Sequence, residues 1–357
     1  RDFRPRPLRL EHMDIRLDFR EDRVAGTAAY RMTALQAVET VTLDARDLEI
    51  GYVRRRDGER AVTLAFDVDR DHHALNITLD RPLAAGAALD LEIGAACFPS
   101  AEILEGLYKD TTPPGAPQQY MSQCQQWGFQ RILPVFDDCT AKCTMRTTLE
   151  ADARYTHLVS NGDVDRTTNP DGVPVPCPDD PARRVITYVN DIPMAPYLFI
   201  AAAGTWASLA DDVVYPSGRR VRLEYLVPPG RTEGARIPMA ITKRAVRWHG
   251  ATQDYEYARE VYRTLCMEKS NFGGMENVGN TTIITSAALI DAFTDDRRLK
   301  YAHGVIVHEF EHNQCGSDVT METPFDVWLN EAFTVDVERQ FMMSVFDPDG
   351  ERLDEIA

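Results

Sequence analysis

The first half of the chain alternates apolar and polar residues in short segments. Up to about residue 205 this period-two pattern recurs between polar turns, as it does in half-buried β-strands. Five segments carry it: Met13–Phe19, Thr40–Leu48, Val62–Val68, Leu75–Leu79 and Ala88–Ile93. We therefore predict that this half is predominantly β.

A change of pattern near Trp206 indicates a domain boundary. Two proline-rich stretches, residues 111–117 and 173–181, are predicted to be surface loops and not linkers, because strand-like sequence resumes after each. Tyr197–Ala203 is apolar and is predicted to be a strand that precedes the boundary. We expect one domain over residues 1–206 and a second over residues 207–357.

The second domain mixes strand and helix patterns. Val221–Val227 is predicted to be one more strand, and Ile237–Trp248 and Tyr255–Val261 carry helical or mixed patterns. The two halves of the chain are therefore predicted to be domains of different class, one predominantly β and one mixed. A length of 357 residues is enough for each domain to have its own core.

Capping residues predict two further helices in this domain. Thr294 can cap the first, and Gly316 can end it. Thr323 can cap the second, with Pro324 at the first helical position and Asp326 in the first turn. The most chemically informative residues of the chain lie on these two helices.

The first of these helices contains His308-Glu309-Phe310-Glu311-His312. Imidazoles four positions apart lie on one face of a helix, where both can bind one small metal ion. Such a short pattern also arises by chance, but Glu331 follows after eighteen intervening residues, enough for a second helix to return. Two His and one Glu leave a fourth tetrahedral position for water. We therefore predict one catalytic Zn²⁺ per chain, bound by His308, His312 and Glu331.

Glu309 is the predicted general base. It is adjacent to a ligand yet rotated by about 100° around the helix, so it can receive a proton from water without binding the metal. A partner for the outer nitrogen of either imidazole is less evident. Val335, four residues after Glu331, cannot accept a hydrogen bond, and Thr334 and Asp336 stay open as candidates.

A second motif, Gly273-Gly274-Met275-Glu276-Asn277, precedes the histidines. Paired glycines let another backbone approach closely, and a carboxylate just after them would point at whatever lies alongside. The alternative is a tight turn with a solvated Glu. Considered together with the zinc site, the motif is predicted to bind substrate.

Composition narrows the possible partners and the compartment. The formal net charge of −17 argues against nucleic acid and anionic membrane surfaces, and no run of eighteen apolar residues predicts a membrane span. Seven cysteines without a paired CxxC spacing predict mostly buried thiols in a reducing compartment, hence a cytoplasmic protein. Cys139 and Cys143, four apart, could pair or bind metal, although no second ligand pair is apparent.

Together, HEFEHN at residues 308–313, Asn330-Glu331 and GGMEN at residues 273–277 resemble the motifs of the aminopeptidase N family of gluzincin zinc metallopeptidases. The resemblance covers nearly the whole chain. It implies an α+β fold, with an N-terminal antiparallel β-saddle followed by a thermolysin-like mixed α/β zinc domain. It also implies removal of the N-terminal residue from peptides with a free amino end.

Residues 122–131 are similar to the family segment that closes over the amino end of the substrate. Gln123 matches the family's glutamine, whereas Gln125 stands where some bacterial members have Glu. The resemblance implies that Glu276 holds the α-ammonium and that Gln123 accepts one hydrogen bond from it. Backbone N–H groups around Gly273 and Gly274 would hold the substrate strand.

The sequence departs from the family in one respect. The tyrosine that stabilises the oxyanion in relatives lies well beyond the third ligand, yet residues 332–357 contain no Tyr. The helical C-terminal domain of relatives is not found either. We expect a fragment truncated at its C-terminus, with weak or no activity. Two alternatives stay open: an epoxide hydrolase with aminopeptidase activity of the leukotriene A hydrolase type, and a truncated peptide-binding homologue.

Overall fold

The computed structural model describes residues 6–356, which pack into two compact units. The first unit runs up to Lys109 and resumes at Gln118–Gly204, and the second comprises Asp110–Pro117 and the chain from Thr205 onward. Ala357, the residue at which the predicted truncation falls, lies outside the described residues. A β-rich unit followed by a smaller one with helices confirms the predicted α+β class.

Strands build the first unit, and the long ones bury alternate side chains. In β1, Met13, Ile15 and Leu17 are fully buried while the residues between them are exposed. The strands are β1 (Leu8–Phe19), β2 (Val24–Ala34), β3 (Val38–Asp44), β4 (Glu49–Asp57), β5 (Arg60–Thr63), β6 (Ala65–Asp69), β7 (Ala74–Leu83), β8 (Ala88–Cys97), β9 (Gly106–Lys109), β10 (Tyr120–Gln123), β11 (Cys143–Asp152), β12 (His157–Ser160), β13 (Asp163–Val164), β14 (Val175–Pro176), β15 (Arg183–Met194) and β16 (Ala201–Gly204).

Across the described residues these strands form three sheets. The largest has the order β13-β15-β11-β1-β2-β8-β4-β5, with β14 also paired to β15. Its neighbouring strands are antiparallel except β1 and β11, which are parallel. The two smaller sheets have the orders β12-β16-β10-β9 and β3-β7-β6.

Two predicted strands of this unit are wrong in part. The strand predicted over Thr40–Leu48 ends at Asp44, and Asp47 adopts a left-handed φ of 56°, which a strand cannot include. The one predicted over Val62–Val68 is interrupted at Leu64, so that β5 joins the largest sheet and β6 the three-stranded one. Leu64 is buried at this change of sheet.

The second unit places helices beside one mixed sheet. The strand order is β17-β18-β19-β21-β20, in which β19 runs parallel to both of its neighbours and β20 is an edge strand. Its elements are β17 (Ala207–Val214), β18 (Arg220–Val227), α1 (Arg236–Thr252), β19 (Val261–Met267), β20 (Gly274–Met275), β21 (Asn280–Ile284), α2 (Thr285–Ala288), α3 (Asp296–Glu311), α4 (Val327–Val345) and α5 (Pro348–Ile356).

Two further predictions need correction. Tyr197–Ala203 begins as a 3-10 turn at Pro196–Leu198 and becomes strand only at Ala201, because a proline cannot donate to a ladder. Tyr255–Val261 contains no helix in the described structure. Its tyrosines instead pack around Phe310: the ring centroids of Tyr255 and Tyr257 lie 6.4 and 6.3 Å from that of Phe310.

Phe310 and Glu311 anchor α3 in the core of the second unit. Phe310 is fully buried and packs edge-on against the rings of Tyr262 and His249, with centroids 5.2 and 5.0 Å away. Glu311 Oε2 lies 2.7 Å from His249 Nε2, and both side chains are fully buried. His249 Nδ1 donates to the carbonyl oxygen of Ala245 at 2.9 Å, so the imidazole is held from both sides. The pair ties α3 to α1.

Asp110 fastens the short segment 110–117 to the second unit. Its carboxylate accepts hydrogen bonds from the backbone N–H groups of Glu268 and Lys269, at 3.2 and 2.9 Å. These residues follow β19 directly and begin the loop that leads to Gly273. The aspartate therefore holds the end of a central strand.

The cysteines match the expected burial. All seven are free thiols; six are buried, Cys139 and Cys143 among them, and Cys315 is partly exposed. Among the helices that the structure describes, none is both long and apolar enough to cross a bilayer.

Candidate metal centre

His308 and His312 lie on one face at the C-terminal end of α3. Asp295, and not Thr294, caps this helix, because its carboxylate accepts from the backbone N–H of Arg298 at 2.8 Å. The helix ends at Glu311 with His312 in helical conformation, so the predicted stop at Gly316 is wrong by one turn. The Nε2 atoms of the two imidazoles are 3.0 Å apart.

Glu331 comes to the same point from α4. The predicted cap at Thr323 is present, but it begins a 3-10 turn at Pro324–Asp326 that leads directly into α4: the Asp326 carboxylate accepts from the backbone N–H and the hydroxyl of Thr323, at 3.1 and 2.7 Å. The Glu331 carboxylate places one oxygen 3.3 Å from His308 Nε2 and the other 3.7 Å from His312 Nε2. Within residues 6–356, this is the only group of three or more His, Cys, Asp or Glu side chains spaced to hold a metal ion.

These separations fit a tetrahedral zinc ion. Zinc bonds to nitrogen and oxygen are about 2.0–2.1 Å long, so ligand atoms at tetrahedral angles lie about 3.3 Å from one another. The observed separations of 3.0, 3.3 and 3.7 Å scatter around that value. Two nitrogens and one carboxylate oxygen are also the donor set of catalytic zinc sites, which keep a further position for water.

The charge balance of the cluster points to a cation as well. Burial opposes protonation of His308, but hydrogen bonds to Glu331 and Glu338 outweigh it and raise its pKa to about 10. Burial also opposes protonation of His312, but the charge of Glu276 and a hydrogen bond to Glu331 raise its pKa to about 9. Against burial, the two imidazoles hold the pKa of Glu331 well below its usual range. Positive charge between these groups is therefore strongly favoured.

One face of α4 supplies both a candidate ligand and hydrogen-bond partners for the Nδ1 atoms of the two imidazoles, which face away from the metal position. Glu331, Thr334 and Glu338 are spaced i, i+3, i+7, which places them on the same side of a helix. Glu338 accepts from His308 Nδ1 at 3.1 Å, and the Thr334 hydroxyl lies 3.2 Å from His312 Nδ1. With each Nδ1–H engaged, the neutral rings present their Nε2 lone pairs to the metal position.

His312 has a second partner in the backbone. Its Nδ1 donates to the carbonyl oxygen of Cys315 at 2.8 Å, within the turn that follows α3. Thr334, left open by the sequence, is thus beside the site, whereas Asp336 is exposed and bonds to Gln340. Glu338, which was not predicted from the sequence, lies seven residues after Glu331. This spacing places its carboxylate on the same face of α4, and that is the sequence signal that could have identified it.

Glu309 lies beside His308, His312 and Glu331, and its side chain is buried. Its Oε2 has no hydrogen-bond partner among the described residues. Burial is the largest influence on its pKa, and the negative charges of Glu276 and Glu331 add to it, raising the pKa to about 7 against the two imidazoles. A carboxylate with a pKa near neutrality is suited to accept and return protons.

Gly274 makes room for Glu309. A Cβ atom at Gly274 would lie 2.2 Å from Glu309 Oε1, 2.5 Å from Cδ and 2.7 Å from Cγ. The glycine belongs to the edge strand β20, whose paired side faces β21, and Gly273 accepts from the N–H of Ile284 at 2.9 Å. The second glycine of the motif is therefore required by the side chain of the candidate base.

The three residues after the glycines are buried. Met275 is fully buried in β20, and Glu276 is 6% exposed. Its carboxylate lies close enough to His312 and Glu309 to shift the pKa of both. Asn277 donates to the Met275 carbonyl at 3.5 Å and to the Thr282 hydroxyl at 3.3 Å, which holds the turn into β21. Glu276 is therefore not a solvated turn residue.

Gln123 belongs to the first unit. It is the last residue of β10, is 5% exposed, and its Nε2 has no partner within the described residues. Gly128 packs on its backbone: a Cβ there would lie 2.3 Å from the Gln123 carbonyl oxygen. Gln123 is thus a buried residue of the first unit.

Comparison with known families identifies both halves of the chain. The profile of the Peptidase M1 N-terminal domain matches residues 9–198, and that of the Peptidase family M1 domain matches residues 237–355. The aminopeptidase N of Caulobacter vibrioides is 28% identical over 339 residues, which are 94% of this chain and 36% of that protein. The leukotriene A-4 hydrolase of Xenopus laevis is 26% identical over 94% of this chain and 52% of its own length.

A solved structure shares the fold. The crystal structure of Legionella pneumophila aminopeptidase A in complex with aspartic acid superimposes with a TM-score of 0.85 and 20% sequence identity, over 97% of this chain and 39% of that one. The chain therefore spans only about a third of the length of the Caulobacter protein that it matches.

Proposed function

Since the chain belongs to peptidase family M1, as its resemblance to the aminopeptidase N family implied, we propose that it forms the zinc-binding and peptide-binding part of an aminopeptidase. The observation that carries the proposal is the convergence of two imidazole nitrogens and the two oxygens of the Glu331 carboxylate, at separations of 3.0 to 3.7 Å, beside the buried carboxylate of Glu309.

His308, His312 and Glu331 are the proposed ligands of one Zn²⁺. Zinc, when bound, lowers the pKa of a water in its open position from about 15.7 towards 7. The ligands hold their orientation through Glu338, Thr334 and the Cys315 carbonyl.

Glu309 is the proposed general base. Its Oε2 has no hydrogen-bond partner among the described residues, and its pKa of about 7 suits it to take a proton at neutral pH and later donate it to the leaving amine. Gly274 leaves the space that this side chain occupies. Glu309 moves protons without serving as a ligand.

Glu276 is the proposed partner of the substrate's α-ammonium. A buried carboxylate favours a cation strongly, because water does not screen it. The edge strand β20 offers backbone groups at Gly273 and Gly274 for an extended peptide. These contacts would hold a free amino end, so the proposed substrates are peptides with a free N-terminus.

The leukotriene A hydrolase type stays a second candidate, because relatives of both kinds match this chain over 94% of its length. Glu276 supplies a negative charge for an ammonium group and so supports the aminopeptidase activity that both types share.

Zinc binding of the purified chain tests the proposal. Metal content after dialysis against zinc should approach one ion per chain in the parent and fall to near zero in His312→Ala. His72→Ala, whose imidazole is 81% exposed, is the matched control and should keep its zinc. Equal zinc in the parent and in His312→Ala would contradict the ligand assignment.

The amine site is tested with one short peptide in its free and N-acetylated forms. The zinc-loaded chain should bind the free form at least tenfold more tightly, since charge-assisted hydrogen bonds contribute about 1.5–3 kcal/mol. Glu276→Ala should erase most of that difference. Equal binding of the two forms by the parent would leave Glu276 a structural residue.

A further inference from the structure

We propose that Gly304 is a positioning residue: it holds the Glu338 carboxylate against His308 and so sets the affinity of the site for zinc. The inference rests on the proposed function, because it assumes that His308 is a ligand. It concerns a residue outside the HEFEH and GGMEN motifs.

Gly304 lies in the interior of α3, one turn before His308, and is buried. Glycine disfavours a helix interior because its backbone is more flexible than that of any other residue, so its presence here calls for a specific reason. A Cβ at Gly304 would lie 2.6 Å from Glu338 Oε1 and 3.6 Å from its Cδ; among the described residues no other atom lies within 4 Å, apart from its chain neighbours and the surrounding helix backbone. The Glu338 carboxylate is thus the group that the missing side chain accommodates.

The two oxygens of this carboxylate have different neighbours. Oε1 rests on Gly304, and Oε2 accepts from His308 Nδ1 at 3.1 Å. Any atom added at Gly304 therefore pushes on the same rigid group that orients the imidazole. Because the Glu338 side chain is 27% exposed, it can swing towards solvent, and α3 and α4 need not separate.

The expected consequence falls on the metal and not on the fold. A carboxylate that accepts from the outer nitrogen fixes the ring and makes the inner nitrogen a better donor, and loss of such a partner lowers metal affinity by about 10- to 100-fold. Alanine at position 304 also favours helix over glycine. The same substitution should thus weaken zinc binding while leaving stability unchanged or higher.

A double-mutant cycle tests this inference with zinc affinity as the readout, measured by competition with a chromophoric chelator. Gly304→Ala and Glu338→Ala should each weaken binding by at least about tenfold. The double variant should bind no more weakly than Glu338→Ala alone, and the unfolding midpoint of zinc-free Gly304→Ala should not fall. Gly350→Ala, in α5, is the control, because the three atoms nearest to its Cβ would all belong to Asp347 and not to a residue of the site.

The outcomes separate this inference from the proposed function. If the parent binds no zinc, or His312→Ala binds it equally well, the proposed function fails. If the parent binds zinc through its ligands but Gly304→Ala binds it as tightly, Gly304 is not a positioning residue. An equal loss from Gly304→Ala in the parent and in the Glu338→Ala background would also overturn the inference, since the effect would then not pass through Glu338.

Discussion

The side chain of Glu309 lies directly over the backbone of Gly274. Three of its atoms occupy the space that a Cβ would need, at 2.2, 2.5 and 2.7 Å. The crowding involves the whole end of the side chain and not only its tip, so a small rotation cannot relieve it. Two residues thirty-five positions apart in sequence are therefore fitted to each other.

Replacing Gly274 with Ala should destabilise the zinc-free chain by about 1–3 kcal/mol, because the new methyl group overpacks a buried site. In a Glu309→Ala background the penalty should fall to nearly zero. Urea unfolding of the four proteins measures both values. A penalty of the same size in the two backgrounds would show that the clash is with another group.

Glu309→Gln should stabilise the zinc-free chain in a pH-dependent manner. The pKa of Glu309 is raised to about 7, so the folded parent binds a proton more tightly than the unfolded chain, and stability is lost as pH rises from about 4.5 to 7. Gln carries no charge and avoids this loss. The variant should gain on the order of 3 kcal/mol over the parent at pH 8 and little at pH 4.5. A gain independent of pH would contradict this assignment.

Zinc binding at pH 7 should release at least one proton per ion. The pKa values of His308 and His312 are raised to about 10 and 9, but their Nε2 atoms lie 3.0 Å apart, which leaves room for one proton between them. Because ligands must lose their protons, affinity should rise at least about tenfold per pH unit below pH 9. Calorimetry in buffers of different ionisation enthalpy counts the protons. Release of none would mean that neither histidine gives up a proton to bind zinc.

The buried contact between His249 and Glu311 should be sensitive to loss of one partner. Glu311→Ala should cost about 2–5 kcal/mol in urea unfolding, because it empties a fully buried position and leaves His249 Nε2 without its polar neighbour. Replacing both residues with apolar ones of similar size should restore most of the stability. Glu233→Ala, at the exposed pair with Arg236, is the control and should cost less than about 1 kcal/mol. A cost that small for Glu311→Ala would show that the buried contact does not stabilise the fold.

Some of the site could be predicted because it depends on local geometry. The spacing of His308 and His312 places both imidazoles on one face of any helix, and Thr323 with Asp326 fixes where the next helix begins. The roles assigned to these residues and to Glu331, Glu309 and Glu276 remain predictions until zinc and substrate binding are measured.

Other features depend on how separate elements pack. Nothing in the sequence around Gly304 or Glu338 shows that α3 and α4 bring these residues together. The alternation in Val62–Val68 is correct for a strand, yet it cannot show that the chain changes sheet at Leu64, because β5 and β6 are both largely exposed and their side chains do not distinguish the two sheets. Tyr255 and Tyr257 are spaced for a strand or a turn, and their packing around Phe310 decides the outcome.

The membership of residues 110–117 in the second unit makes that unit discontinuous in sequence. Cleaving the chain once, between Gly204 and Thr205, would yield a C-terminal piece that retains all three proposed zinc ligands but lacks Asp110. The backbone N–H groups of Glu268 and Lys269 would then lose their acceptor at the end of a central strand. An excised metal-binding module of this protein must therefore be assembled from two stretches of chain, with residues 110–117 joined covalently or supplied as a peptide.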